Sequence, residues 1–168
     1  MKLITFIFFS LSVLCVKSQN METYINKLSN TLIRYPASWE NIETESTVFL
    51  LIRPVEEVGQ IFRENVNLII DNRNGLNLQE FVGAAKVQLR TQLPNYKEIS
   101  TDYIELGGKQ YARIVYQHST NNLPLQVAYY IYIHKNKAYN LTCSSTQSNF
   151  ELYLPIFEKM ISSFTILN

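Results

Sequence analysis

The sequence predicts an α+β fold, with a single antiparallel β-sheet of about seven strands and two helices. Three observations predict it. Seven short segments rich in β-branched and aromatic residues alternate or run apolar at strand length. Two pairs of them meet across two-residue breaks, Gly107-Gly108 and Lys135-Asn136, the signature of tight hairpins. Two further segments carry apolar residues at helical spacing.

The chain of 168 residues is 46% apolar with only five Gly and five Pro, which suits one domain with a substantial core. Eleven Tyr and nine Phe favour strands and a well-filled interior. Residues 1–18 read as a cleaved signal peptide. Lys2 supplies the positive start, Leu3–Val16 the apolar run, and Ser18 the small residue at the cleavage point. That run is short of the roughly 20 residues a membrane span requires. A lipid-anchored alternative would use Cys15, but Leu14 stands where such a signal carries a small residue.

The formal charge is +1, and loss of Lys2 and Lys17 with the signal brings it to −1. So balanced a chain has no electrostatic footprint for nucleic acid and no basic run for anionic lipid. Cys143 is then the sole cysteine, which excludes an intramolecular disulfide.

Residues 19–30 are polar with a weak helical rhythm in Met21, Tyr24, Ile25 and Leu28, and read as a short lead-in helix or a frayed terminus. Residues 31–168 form a single domain. The stretch Leu32–Asp71 organises it: a strand at Leu32–Tyr35 stops at Pro36, and the only Trp follows at position 39. Val48–Arg53 is apolar on both parities, as in a strand covered on both faces. Residues 55–63 connect it to a half-buried strand in which Val66, Leu68 and Ile70 alternate with polar residues.

Asn77 and Glu80 form a capping box before the clearest helix, residues 78–92, which Pro94 ends. Strands at 96–106, 109–118, 125–134 and 137–144 follow, with a polar loop at 119–124. A second helix spans 148–164, capped by Ser148 and Glu151 and interrupted at Pro155.

The hairpins set which side chains share a face. Asp102 opposes Arg113, Ile104 opposes Tyr111, Tyr132 opposes Tyr139, and Ala128 opposes Cys143. Placing His118 opposite Leu125 then gathers Tyr111, Arg113, Tyr130, Tyr132 and Tyr139 on one face, with Asp102 at its edge. These six residues are the candidate binding surface, because tyrosine gives contact area at low entropic cost. The competing reading is a second packed layer whose hydroxyls reach the rim. The other face, with Ala112, Ile114, Tyr116, Val127 and Ile131, reads as core beneath a helix.

Catalytic and metal-binding patterns are lacking. His118 and His134 fall roughly 30 Å apart along the ladder at about 3.3 Å per residue, too far to share a metal, and each reads as a solvent-facing strand end. Cys143 reads as a buried small hydrophobe. Asp71, Glu80, Asp102 and Glu105 read as solvated carboxylates, although an uncharacterised hydrolase would draw on such groups. Asn140-Leu141-Thr142 matches a glycosylation sequon in mid-strand. No cofactor motif occurs.

In the order Tyr35-Pro36-Ala37-Ser38-Trp39, Phe62–Asn67, Leu78–Phe81, Leu106-Gly107-Gly108 with Tyr111–Tyr116, and Tyr153–Phe164, the chain resembles the PsbP-like family, including DcrB-type bacterial envelope proteins. The resemblance covers about residues 30–166. It implies a three-layer sandwich, an antiparallel sheet flanked by helices on both faces, and it carries no catalytic motif. The expectation is a secreted, non-enzymatic binding or assembly domain of the bacterial cell envelope. It would be periplasmic or extracellular and monomeric, with no stable membrane span, and its partner would be an envelope protein or a small ligand. The alternative is a carrier of a small apolar ligand held between helix 78–92 and the sheet.

Overall fold

The computed structural model describes residues 20–167; the signal-like segment and Cys15 lie outside the described residues. In chain order the elements are β1 (Met21–Asn26), β2 (Thr31–Pro36), β3 (Glu40–Ile42), β4 (Phe49–Ile52), β5 (Asn65–Asn72), α1 (Leu78–Gln92) and β6 (Lys97–Leu106). There follow β7 (Lys109–Thr120), β8 (Leu123–His134), β9 (Lys137–Thr146), α2 (Phe150–Ser163) and β10 (Thr165–Ile166). The expected single sheet is two sheets among the described residues. A seven-stranded antiparallel sheet has the order β3-β4-β5-β9-β8-β7-β6, and a three-stranded one has the order β1-β2-β10.

The lead-in is the source of this difference. Met21–Asn26 is a strand laid against β2, with Met21 opposite Pro36 and Asn26 opposite Thr31. Its helical spacing was misleading, because Ile25 is half exposed and Leu28 is fully so at the β1–β2 turn. A weak local preference gives way when a neighbouring strand offers backbone partners. The same reasoning places Leu32 in the small sheet, where it pairs with Ile25 on one side and Thr165 on the other.

α1 matches its expected span, and both halves of the Asn77–Glu80 capping box are formed. It lays Val82 and Ala85 on Ala112, Ile114, Val127 and Ile131 of the large sheet. α2 and the small sheet cover the opposite face. Phe150, Phe157, Met160 and Ile161 from the helix, with Ile33 and Trp39, meet Leu51, Val66, Leu68, Tyr111, Tyr130 and Leu141.

α2 differs from expectation at its start. It runs unbroken through Pro155, which is exposed, and whose missing N–H would have met the carbonyl of Glu151, another exposed residue. An acceptor on that side is left to water, so the proline interrupts less than it would in a buried turn. Asn149, not Ser148, occupies the N-cap, and no side chain caps the helix there. Its amide is engaged with Glu64 at 3.3 Å instead.

The registers are those the hairpins imply, including the middle one, His118 opposite Leu125. The polar loop 119–124 is shorter than expected. Ladder pairs continue to Thr120 opposite Leu123, and the turn is closed by Asn121 and Asn122, both at positive φ (50° and 64°). Asparagine tolerates the left-handed region this tight turn needs.

Trp39 is 6% exposed and meets Phe157 of α2 edge-on, with ring centroids 6.3 Å apart. Trp39→Ala should therefore lower stability by about 3–5 kcal/mol, as large-to-small changes in a packed core do. Chemical denaturation monitored by circular dichroism measures it. A loss below about 1 kcal/mol would remove Trp39 from its place as the anchor between the two sheets.

Candidate binding surface

Rows of side chains across the large sheet show what happens to the tyrosine-bearing face. One row, on the α2 side, reads Phe49, Leu68, Leu141, Tyr130, Arg113, Asp102. It passes from apolar at the β4 side to ionic at the β6 edge. Tyr111 and Tyr130 have no exposure and Tyr139 is buried as well, since α2 lies over this face. The rings pack on one another, Tyr111 on Tyr130 at 6.2 Å and on Tyr132 at 5.5 Å. Burial pushes the phenols of Tyr111 and Tyr130 well above the usual value.

Of the six residues singled out from the sequence, Asp102, Arg113 and Tyr132 keep access to solvent. Arg113 ties the edge to the helix. Its guanidinium donates to Glu158 of α2 at 2.7 Å and to Asp102 at 3.4 Å. Glu158 was not legible as its partner, because 45 residues separate the two.

Neither histidine is a bare strand end. His118 is half-buried beside the Tyr116 ring, at 5.9 Å, and burial holds its imidazole below the ordinary value. His134 stacks on Tyr132, with centroids 6.2 Å apart. Cys143 is fully buried, and burial drives its thiol upward, so it is held as an unreactive thiol.

The carboxylates occupy separate places. The Glu80 carboxylate accepts from the backbone N–H of Asn77 at the start of α1, and Asp102 is bound to Arg113. Asp71 accepts from the amide of Asn140 at 2.8 Å, and Asn140 in turn accepts from the hydroxyl of Tyr129 at 2.8 Å. Asn140 is 3% exposed, so its sequon is closed to a glycosyltransferase in the folded chain. Among the described residues, no three His, Cys, Asp or Glu side chains stand close enough to hold a metal ion.

A carboxylate the sequence did not single out is the most buried of all. Glu64, 1% exposed, accepts from Arg53 at 2.9 Å, from Ser145 at 3.3 Å and from Asn149 at 3.3 Å. Arg53 also pairs with Glu56 and lies over the Tyr153 ring, 5.2 Å from its centroid. These contacts tie the 53–64 connector to the end of β9 and the start of α2. A buried carboxylate with a partner for each oxygen is tolerated; one left alone would not be.

Open relief lies at the ends of the hairpins. A hollow of about 640 Å³ is lined by Leu28, Ser29, Thr47, Ile69, Asp71 and Asn136, among others. A second, of about 420 Å³, is lined by Asn30, His134, Lys135, Tyr139 and Ile166. Ser29, Asn136 and Lys137 line both, so the two hollows adjoin around the β8–β9 tip. Turn residues build its polar walls. Asn26 accepts from the backbone of Leu28 and Ser29, and Asn72 accepts from Asn136. By contrast, the hollow between α1 and the sheet holds about 180 Å³ and is lined by Asp71, Gln88, Asn140 and Thr142 as well as apolar groups.

No protein-family model matches this sequence, and no curated protein matches it either. Solved structures do match in fold. Cyanobacterial PsbP (CyanoP) from Synechocystis is 14% identical over 90% of this chain and 95% of that chain, with a TM-score of 0.65. LpqN of Mycobacterium tuberculosis, described as involved in cell envelope biogenesis, is 11% identical over 89% and 91%, with a TM-score of 0.66. The Ran-binding protein Mog1p of Saccharomyces cerevisiae is 7% identical over 90% and 97%, with a TM-score of 0.61. The fold is the PsbP-like one that the order of motifs implied. At these identities the likeness is one of fold.

Proposed function

We propose that the chain is a non-enzymatic binding domain of the bacterial cell envelope. It engages a protein partner through the double depression at the β1–β2 and β8–β9 hairpin tips. One observation carries this reading: both faces of the large sheet are covered and filled, while the hairpin tips are open and indented. Leu28 is fully exposed among the lining residues, and His134 and Lys135 line one half. An exposed aliphatic anchor within a polar border is a usual make-up of a recognition patch.

Proteins of the same fold give support by kind. One is described by its part in cell envelope biogenesis and another by binding Ran, and neither description is of catalysis. The signal-like start of the sequence agrees with export. The carrier alternative has less in its favour. The space beneath α1 is below the 300–1,000 Å³ or so of a small-molecule site, and Asp71 and Asn140 make its wall polar.

Site-specific photo-crosslinking in the source bacterium tests the proposal. A photoreactive residue at Leu28 or Lys137 should yield one adduct of discrete mass. The same group at Val87, exposed on the outer face of α1, should yield none. Equal adducts at all three sites, or none at Leu28 and Lys137, would overturn it.

A further inference from the structure

The hollow between α1 and the large sheet is too small and too polar for an apolar ligand, yet its polar groups form a pattern of their own. β5 supplies Asp71, β9 supplies Thr142, β7 supplies Tyr116, and α1 supplies Gln88 and Gln92 one turn apart. Tyr116 is only 4% exposed, and its hydroxyl makes no hydrogen bond to another described residue. Tyr96, whose ring packs on it at 5.4 Å, does not serve, because its own hydroxyl is buried without a partner. A phenol so deeply buried ordinarily finds a partner in the protein. This one belongs to the wall of the hollow.

The other groups of the wall also have acceptors to spare. Asn140 donates to one oxygen of Asp71 at 2.8 Å and leaves the second. Gln88 donates its amide to Gln92 at 3.4 Å, and its own carbonyl is left over. Asp71 is the sole charged residue lining the hollow, and it has no ion-pair partner among the described residues. Cations close by in the sequence are engaged elsewhere: Lys86 pairs with Glu98 at 2.7 Å, and Arg73 donates to the carbonyl of Leu76 at 2.9 Å.

We infer that this hollow is a second binding site, for a small organic ammonium such as a primary alkylamine of a few carbons. An ammonium group carries three N–H donors and no acceptor. It meets here the second oxygen of Asp71, the phenolic oxygen of Tyr116 and the carbonyl of Gln88. Charge selects it over other small ligands. An anion would face the carboxylate with no cation to offset it, and a neutral alcohol would leave that charge uncompensated. Ile69, Ala85 and Leu89 give the alkyl chain an apolar wall, and a volume of about 180 Å³ holds it to a short one.

Nuclear magnetic resonance of the purified, nitrogen-15-labelled protein, titrated with n-butylammonium chloride at constant ionic strength, tests this. The backbone signal of Asp71 and the side-chain amides of Gln88 and Asn140 should shift together and saturate, with a Kd of about 10 mM or tighter. The same chain without charge, 1-butanol, should bind at least about tenfold more weakly. Asp71→Asn should weaken butylammonium at least about tenfold, and Tyr116→Phe, which removes only the oxygen, about threefold or more. Glu105→Gln, at an exposed carboxylate of β6, should change nothing. Tyr116 stands apart from the hairpin tips, so its variant reports on this hollow alone. Thermal melting shows that the variants stay folded, and both substitutions keep the shape of the side chain. No saturation by about 50 mM, equal binding of 1-butanol, or binding indifferent to Asp71→Asn or to Tyr116→Phe would overturn the proposal.

Discussion

Gly107→Ala should destabilise the chain by about 2–5 kcal/mol, while Gly108→Ala one residue later costs only about 1–2 kcal/mol. Both glycines sit at positive φ, 57° and 73°, in the β6–β7 turn, so both substitutions carry the penalty of a left-handed L-residue. The difference lies in space. A Cβ on Gly107 would stand 1.9 Å from the carbonyl oxygen of Ser162 at the end of α2, whereas one on Gly108 meets nothing within 4 Å. The clash is with backbone, so no side chain can swing aside. The hairpin or the last turn of α2 must move, at a cost of roughly 1–3 kcal/mol more. Denaturant unfolding of both variants decides the matter. Equal losses would mean that turn conformation alone governs this site.

Alkali should unfold the protein in a single cooperative step beginning just above pH 10. Tyr111, Tyr116, Tyr129 and Tyr130 are buried in the two cores, and burial raises each phenol well above its ordinary value of 10.0. A raised folded-state value means that the folded chain keeps a proton the unfolded chain releases. The stabilisation is complete below the ordinary value and is lost as pH rises beyond it. Each group removes about 1.36 kcal/mol per pH unit in that window, and four together about 5 kcal/mol. A net stability of about 5–15 kcal/mol is then exhausted within roughly one to three units. The part of the tyrosinate absorbance that comes from these four of the eleven tyrosines should appear together with the change in far-ultraviolet circular dichroism. Ionisation of all eleven with the dichroism intact would show these four rings to be open to solvent.

The β6–β9 part of the large sheet was legible because a two-residue turn leaves no freedom of register. Gly107-Gly108 places Asp102 opposite Arg113, and Lys135-Asn136 places Tyr132 opposite Tyr139. Within each hairpin the face assignments follow from those pairs, since side chains alternate strictly along a strand, and setting His118 opposite Leu125 joins the two hairpins. The helices were legible in their apolar stripes, with boundaries least clear where a side chain had another partner, as Asn149 has in Glu64.

The candidate site was far less legible. The tyrosines were placed on the right face, but a face shows no cover until the helix above it is placed, and α2 buries Tyr111 and Tyr130. The depression at the hairpin tips is assembled from Leu28, Asp71 and Lys137, residues from turns and strand ends with no shared pattern. β1 was hidden for the same reason: its partner strand, not its own sequence, makes Met21–Asn26 a strand.

By itself the sequence determined the α+β class, the span of α1 and the pairing of β6 through β9. These rest on periodicity and tight turns, which act over a few residues. Only the tertiary structure decided that a second, smaller sheet joins α2 over the tyrosines, that Glu64 is buried among Arg53, Ser145 and Asn149, and that the indented surface lies at the hairpin tips. Those features depend on contacts between distant segments, where burial and backbone pairing outweigh the small preferences of any one stretch.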